Sequence, residues 1–314
     1  MSAAIEVEHL THCYGRRRAI DDLSLQIEAG EIFALLGPNG GGKTTLFRVL
    51  STLIPLQQGA VRIFGRDVRR EAHAVRSSIG VVFQAPSLDK KLTVAENVRH
   101  QGHLYGLTGR ALAQRQEEML DRLRLTDRRG DLVETLSGGL RRRVELAKGM
   151  LHRPRLLLMD EPSTGLDPGA RGDLWDYLWQ IRGDDGVTAV LTTHLLEEAE
   201  RADRIAILHE GSLVALDSPE ALRATVGGDT ITILADDAAG LAGEINERLG
   251  GAPRVVDGTI RLEQADGPRW IARLMEIFGD RIDTITLGKP TLEDVFIART
   301  GHRLYEEPSK TERP

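Results

Sequence analysis

The chain has 314 residues, 41% of them apolar and 28% charged, with a formal net charge of -6. That length suits about two domains of roughly 150 residues, and the charge gives no general attraction to nucleic acid or anionic lipid. A single cysteine, Cys13, excludes an intrachain disulfide framework, the N-terminus "MSAAIEVEHLTHCYG" lacks a signal-peptide pattern, and no apolar run approaches the ~20 residues that span a bilayer.

The opening stretch "IEVEHLTHCYGRRRAIDDLSLQIEAGE" alternates apolar and polar residues and predicts antiparallel strands. "EIFALLG", "SIGVVFQ", "RLLLMDE", "TAVLTTH" and "RIAILHEGSLVAL" are near-continuous apolar runs, the pattern of strands covered on both faces. They alternate with helical spacing and predict an α/β domain with a largely parallel core sheet over residues 4–219. From Pro86 to Leu136 no strong strand stands out, and apolar residues take helical spacing. A helical insert is therefore expected over about 86–150. After Glu220 the pattern restarts. "DTITILAD", "AAGLAGEINERLG", "PRVVDG", "TIRLEQ", "GPRWIARLMEIFGD" and "RIDTITLG" read β-α-β-β-α-β, the ferredoxin-like split motif, over 225–301. "TLEDVFIARTG" closes it as a helix with Thr291 as N-cap and Gly301 as stop. Residues 302–314 form a polar tail.

The chemistry is concentrated in the first domain. In "LLGPNGGGKTTLF", Gly37, Gly42, Lys43 and Thr44 satisfy G-x-x-x-x-G-K-[ST] between an apolar strand and a helix. The turn Gly37-Pro38-Asn39-Gly40-Gly41-Gly42, with Lys43, Thr44 and Thr45 opening the helix, can aim backbone N–H groups at one anion. Lys43 would reach the β- and γ-phosphates of a nucleotide, and the Thr44 hydroxyl would ligate Mg²⁺. Asp160 and Glu161 end "RLLLMDE", the place where open α/β sheets bind ligands. Asp160 suits the metal shell, and Glu161 suits orienting or deprotonating an attacking water. His194 ends a strand that can lie beside theirs, aimed at the γ-phosphate, whereas the other histidines read as ordinary. Gln84 ends another strand, where an uncharged amide can touch metal or water. "LSGGL" sets Ser137, Gly138 and Gly139 at the start of a further helix, a second phosphate-binding design. Arg16-Arg17-Arg18 and Arg141-Arg142-Arg143 lack the aromatic interleaving of nucleic-acid binders. They read as solvated faces or, for the second, as charge support behind the "LSGGL" helix.

Taken in order, these motifs resemble those of the ATP-binding cassette (ABC) ATPases over about residues 4–219. The resemblance implies that Tyr14 stacks adenine, "GPNGGGKTT" cradles ATP, and Gln84 is the Q-loop glutamine. It also makes "LSGGL" the signature, Thr164 to Asp167 the D-loop and His194 the switch. Two cassettes then meet head to tail, so that Ser137, Gly138 and Gly139 close over the ATP held by a second copy. "GKPTLEDVFIARTG", Gly288 to Gly301, resembles the ending of ABC-2-type exporter ATPases, the group that includes daunorubicin-resistance exporters. This implies an ATP- and Mg²⁺-dependent ATPase at the cytoplasmic face of the membrane, with no nucleic-acid partner. Its partner would be a separate ABC-2 permease docked on the Q-loop and the stretch Pro86 to Leu136. A soluble ABC ATPase of DNA repair or translation, and an ATPase of an importer or non-transport ABC-2 system, stay open beside it. The C-terminal domain would be regulatory, dimer-supporting or a passive appendage. Two residues depart from the family pattern: Leu140, where Gln or Met is common, and Gly41, where Ala or Ser is usual.

Overall fold

A computed structural model describes residues 3–304, so the polar tail from residue 305 onward lies outside the described residues. The chain divides into two compact units, residues 1–213 and 214–314.

The first unit opens with two long strands, β1 (Ala3–Tyr14) and β2 (Arg17–Glu28), paired antiparallel around the turn Gly15-Arg16. Their alternating pattern buries Ile5, Val7, Leu10, Ile20, Leu23, Leu25 and Ile27. Strand β3 (Ile32–Leu36) is buried at every residue and runs into helix α1 (Lys43–Leu50). Strands β4 (Gln58–Ile63) and β5 (Arg66–Asp67) complete an antiparallel sheet in the order β2-β1-β4-β5. Helix α2 (Ala72–Ser78), absent from the sequence reading, leads into β6 (Ile79–Val82).

The expected insert is helical. It holds α3 (Val94–Leu104), α4 (Gly109–Arg122) and α5 (Gly138–Met150), with two short 3₁₀ turns between the last two. A capping box starts α3: Thr93 accepts from the Glu96 N–H, and the Glu96 carboxylate accepts from the Thr93 N–H. The chain then alternates strand and helix through β7 (Leu156–Asp160), α6 (Pro168–Asp185), β8 (Thr188–Thr193), the single turn α7 (Leu196–Ala199) and β9 (Arg204–His209). Strands β9-β3-β8-β7-β6 lie side by side, each adjacent pair parallel. Continuous burial of β7 and β8 fits a sheet covered on both faces.

Parallel register positions the site. Leu36 pairs with Thr193, Asp160 with Thr192, and Val82 with Met159. The strand ends at Gly37, Gln84, Glu161 and His194 therefore leave the sheet along one edge.

The second unit begins within β10 (Ser212–Asp217), ahead of residue 219 where the sequence reading ended the first domain. After helix α8 (Pro219–Ala224) come β11 (Asp229–Leu234), α9 (Ala238–Leu249), β12 (Arg254–Val256), β13 (Thr259–Gln264), α10 (Gly267–Phe278) and β14 (Thr284–Gly288). The four strands β12-β13-β11-β14 pair antiparallel, the order of a split β-α-β motif. Ile231, Ile233, Ile260 and Leu262 pack one face of the sheet against Leu241, Ile245, Leu274 and Phe278. Helix α11 (Leu292–Thr300) starts at a Thr291–Asp294 capping box and stops at Gly301, whose φ is +81°.

Candidate active site

The turn between β3 and α1 shows why its residue types are required. A Cβ on Gly37 would sit 2.2 Å from the Leu208 carbonyl oxygen, closer than any real contact. Gly42 has φ +104° and caps α1 without a side-chain hydrogen bond. The first-turn N–H groups of α1 therefore keep their donor capacity for an anion, and no acidic residue stands in that turn to oppose one. Gly41 is close-packed: an added Cβ would lie 3.0 Å from the Leu208 oxygen. Here an alanine or serine would need the neighbouring backbone to shift by a few tenths of an ångström.

Lys43 is buried, and its ammonium donates to the carbonyls of Gly37 (2.7 Å) and Pro38 (3.0 Å). Burial holds it below the usual lysine range, while Glu161 and Asp160 pull it back up. Tyr14, Asn39, Gly40, Gly42, Lys43, Thr44, Thr45 and Glu161 share a cavity of about 390 Å³ with Arg17 and Ala19. Tyr14 stands at its rim, 45% exposed, edge-on to His12 at 4.9 Å. An aromatic face available at one end and free N–H donors at the other fit an adenine nucleotide in size and chemistry.

The two carboxylates have different side-chain partners. Asp160 is buried and accepts a 2.6 Å hydrogen bond from the Thr192 hydroxyl. Burial raises its carboxyl above the usual range; the Thr192 bond opposes this and the Glu161 charge adds to it. A buried carboxylate next to another anion is a site that a cation stabilises.

Glu161 has φ +43°, an uncommon conformation for a residue with a side chain, and its N–H donates to Thr192 Oγ1 at 2.9 Å. Its carboxylate accepts from Gln84 Nε2 (3.1 Å) and Thr164 Oγ1 (3.2 Å), and His194 Nδ1 lies 3.4 Å away. Gln84, Glu161 and His194, far apart in sequence, thus meet at one carboxylate. Donating through Nε2 leaves the Gln84 carbonyl oxygen for another ligand. Thr192 and Thr164 were missed as supporting residues. Thr192 sits in "LTTH", where two threonines before a histidine could have signalled a hydroxyl beside the carboxylates.

Ser137 caps α5, its Oγ accepting from the Leu140 N–H at 3.3 Å, with Ser137 and Gly138 exposed. Gly139 packs close to α6: an added Cβ would come within 2.9 Å of Ala170 Cβ. Among the described residues lining the Lys43 cavity, none comes from the 137–139 turn. Asp167, the last residue of "TGLD", caps α6 by accepting from the Ala170 N–H at 2.9 Å.

The arginine run after the turn is no solvated face. Arg141 donates to the Glu134 carbonyl (3.3 Å), Arg142 is buried and donates to the Phe83 carbonyl (3.0 Å), and Arg143 pairs with Asp173 (2.6 Å). Successive side chains on a helix point about 100° apart, so three adjacent arginines reach three different elements. Arg16, Arg17 and Arg18 are exposed, as expected of a solvated run.

The profile of the ABC transporter family matches residues 20–164. The chain is 37% identical to daunorubicin resistance ATP-binding protein DrrA2 of Streptomyces coeruleorubidus, covering 98% of both chains. It is 36% identical to Nod factor export ATP-binding protein I of Paraburkholderia xenovorans, over 97% of this chain and 99% of that one. Among solved structures, cbiO1 of Clostridium perfringens, part of an ABC transporter complex, superposes with a TM-score of 0.67 at 25% identity, covering 88% of this chain and all of that one. The dimeric structure of MJ0796, a bacterial ABC transporter cassette, gives 0.63 at 27% identity, covering 68% of this chain and 98% of that one.

Proposed function

Because this chain belongs to the ABC transporter family of ATP-binding proteins, we propose that it is the ATP-hydrolysing subunit of an exporter, working with a separate membrane-embedded permease of ABC-2 type. The observation that carries the hydrolytic reading is the gathering of Gln84, Thr164 and His194 around Glu161, beside the Lys43 cradle. Support for export comes from the full-length relatives, whose names state resistance to daunorubicin and export of Nod factor.

In this reading Tyr14 stacks the adenine, and the N–H groups from Gly40 to Thr45 hold the phosphates. Lys43 leaves the Gly37 and Pro38 carbonyls for the β- and γ-phosphate oxygens. Thr44, Gln84 and Asp160 would hold Mg²⁺, which supplies neutralising charge at the phosphate oxygens. Glu161 orients the attacking water and accepts its proton. Gln84 and Thr164 fix the carboxylate for that task, and His194, 3.4 Å from Glu161, would be aimed at the γ-phosphate. Ser137, Gly138 and Gly139 face away from this chain's own nucleotide and close over that of a second copy, making the working unit a head-to-tail homodimer. Leu140 removes a polar contact there but leaves Ser137 and both glycines in place.

No described helix is long and apolar enough to cross a membrane. In the exporter reading the permease supplies the transmembrane path, and this chain works peripherally at the cytoplasmic face. A groove of about 500 Å³ between α3, α5 and the end of α1 gives the permease a seat. Leu53, Arg76, Phe83, Gln101 and Tyr105 line it, and Leu53 is exposed.

The test is co-expression with a candidate ABC-2 permease. We expect the chain to be recovered from membranes with the permease. ATPase activity should fall by about 10²-fold or more on Glu161→Gln, in line with losing a general base. Recovery with no integral membrane protein would overturn the exporter reading, and full activity in Glu161→Gln would overturn the assigned chemistry.

A further inference from the structure

Helix α5 carries three buried ionic side chains: Arg142 (8% exposed), Glu145 (3%) and Lys148 (8%). Spaced by three residues, they lie along one stripe of the helix. All three reach the same short loop, the one that carries Gln84. Arg142 Nη1 donates to the Phe83 carbonyl at 3.0 Å. Glu145 accepts from the Ser87 N–H at 2.6 Å and from the Ser87 hydroxyl at 2.9 Å. Lys148 Nζ donates to the Ser87 carbonyl at 2.6 Å and contacts its Oγ at 3.1 Å. The stripe therefore grips the loop on both sides of Gln84, at Phe83 and at Ser87.

Burying three ionic groups is no efficient way to stabilise a helix, since apolar side chains of similar size often do as well or better. Such groups do fix geometry: each charged bond is directional and short, and breaking one strands its partner without solvent. The groups they bind are backbone atoms and the Ser87 hydroxyl of a loop that is exposed from residue 84 to 87 and has little packing of its own to hold it there. Gln84 in turn donates to Glu161 Oε2 at 3.1 Å. A continuous path thus runs from the Ser137 turn, along α5, through the loop, to the Glu161 carboxylate. Ser87, Glu145 and Lys148 also line the groove assigned above to the permease.

We propose that Arg142, Glu145 and Lys148 are positioning residues for hydrolysis: they lock the Gln84 loop to α5, so that displacement of the Ser137–Gly139 turn changes the Gln84–Glu161 contact. This rests on the ATPase reading given above. A nucleotide bound to the second copy would then set this chain's own hydrolytic geometry through α5.

The experiment measures ATP hydrolysis by the full-length chain for wild type, Glu145→Gln, Ser87→Ala, Gln84→Ala and the double variant Gln84→Ala/Glu145→Gln. Hydrogen exchange over residues 83–87 is followed alongside. We expect Glu145→Gln to lower kcat by about fivefold or more with KM for ATP within about twofold, because the cradle is untouched. The double variant should be no slower than Gln84→Ala within about twofold, since both changes act through one contact. Exchange at the Ser87 amide should rise in Glu145→Gln. Ser87→Ala, which removes only a hydroxyl and keeps the fold, should shift kcat in the same direction by a smaller factor. Wild-type rates in Glu145→Gln and Ser87→Ala, or multiplicative losses in the double variant, would overturn the proposal. No hydrolysis by the wild-type chain, alone or with its permease, would instead overturn the ATPase reading on which it rests.

Discussion

Asp160 is a residue at which burial and function pull in opposite directions. Burial raises its carboxyl pKa above the unfolded value, so the folded chain takes up a proton more readily than the unfolded one. The associated stabilisation is complete below the unfolded pKa and is lost as pH rises through the folded pKa. At neutral pH the ionised group therefore destabilises the Mg²⁺-free fold. Asp160→Asn, which can still accept from Thr192, should raise the thermal midpoint at pH 7 without nucleotide, and the gain should vanish on acidification. A lowered midpoint, or a gain independent of pH, would contradict the assignment. Leu140 is tested by kinetics: its N–H is used in the cap of α5, and its side chain is not part of the Glu161 cluster. Leu140→Gln should change the hydrolysis rate by less than about tenfold, equivalent to about 1.4 kcal/mol; a larger rise would show that the apolar residue limits the enzyme. At this scale the cradle, Asp160, Glu161, His194 and Gln84 were legible because each chemistry demands a residue type at a fixed distance from a strand end. Thr192 was not, because its role exists only once β7 and β8 lie in register, and Thr164 was not, because its hydroxyl meets Glu161 only through the fold of the turn after β7.

Among the elements, helix ends proved easy to read and helix faces hard. Thr291 and Gly301 frame α11 as the sequence implied, because capping is a local bond between residues three apart. Thr291→Ala should free the Asp294 N–H and cost about 1 kcal/mol locally. Amide exchange over Leu292–Thr300 should then speed up about fivefold, while Thr291→Ser stays near wild type. Unchanged exchange in Thr291→Ala would mean that packing of Val295, Phe296 and Ile297, all buried, holds the helix without its cap. The arginine run on α5 was opaque for the converse reason. Whether a charged stripe faces water or a loop is decided by what folds over it, and the Phe83–Ser87 loop is remote in sequence from Arg142. Helix α2 escaped notice because, among its residues, only Val75 is buried, too little for a periodic pattern.

For the whole molecule, the parallel sheet explains why the site exists. Five strands of near-continuous apolar sequence align in register, and their ends deliver the cradle, Gln84, the carboxylates and His194 to one edge. The 137–139 turn stands outside that convergence, although it has the N-terminal donors of a phosphate site. The proposed head-to-tail dimer would account for it, with one chain's turn completing the other's site. The most direct measurement is sedimentation velocity of the Glu161→Gln variant with and without saturating Mg²⁺-ATP. The account predicts a monomer without nucleotide and a dimer with it, a shift abolished by Lys43→Ala. A species that remains monomeric at saturating Mg²⁺-ATP would contradict the shared site.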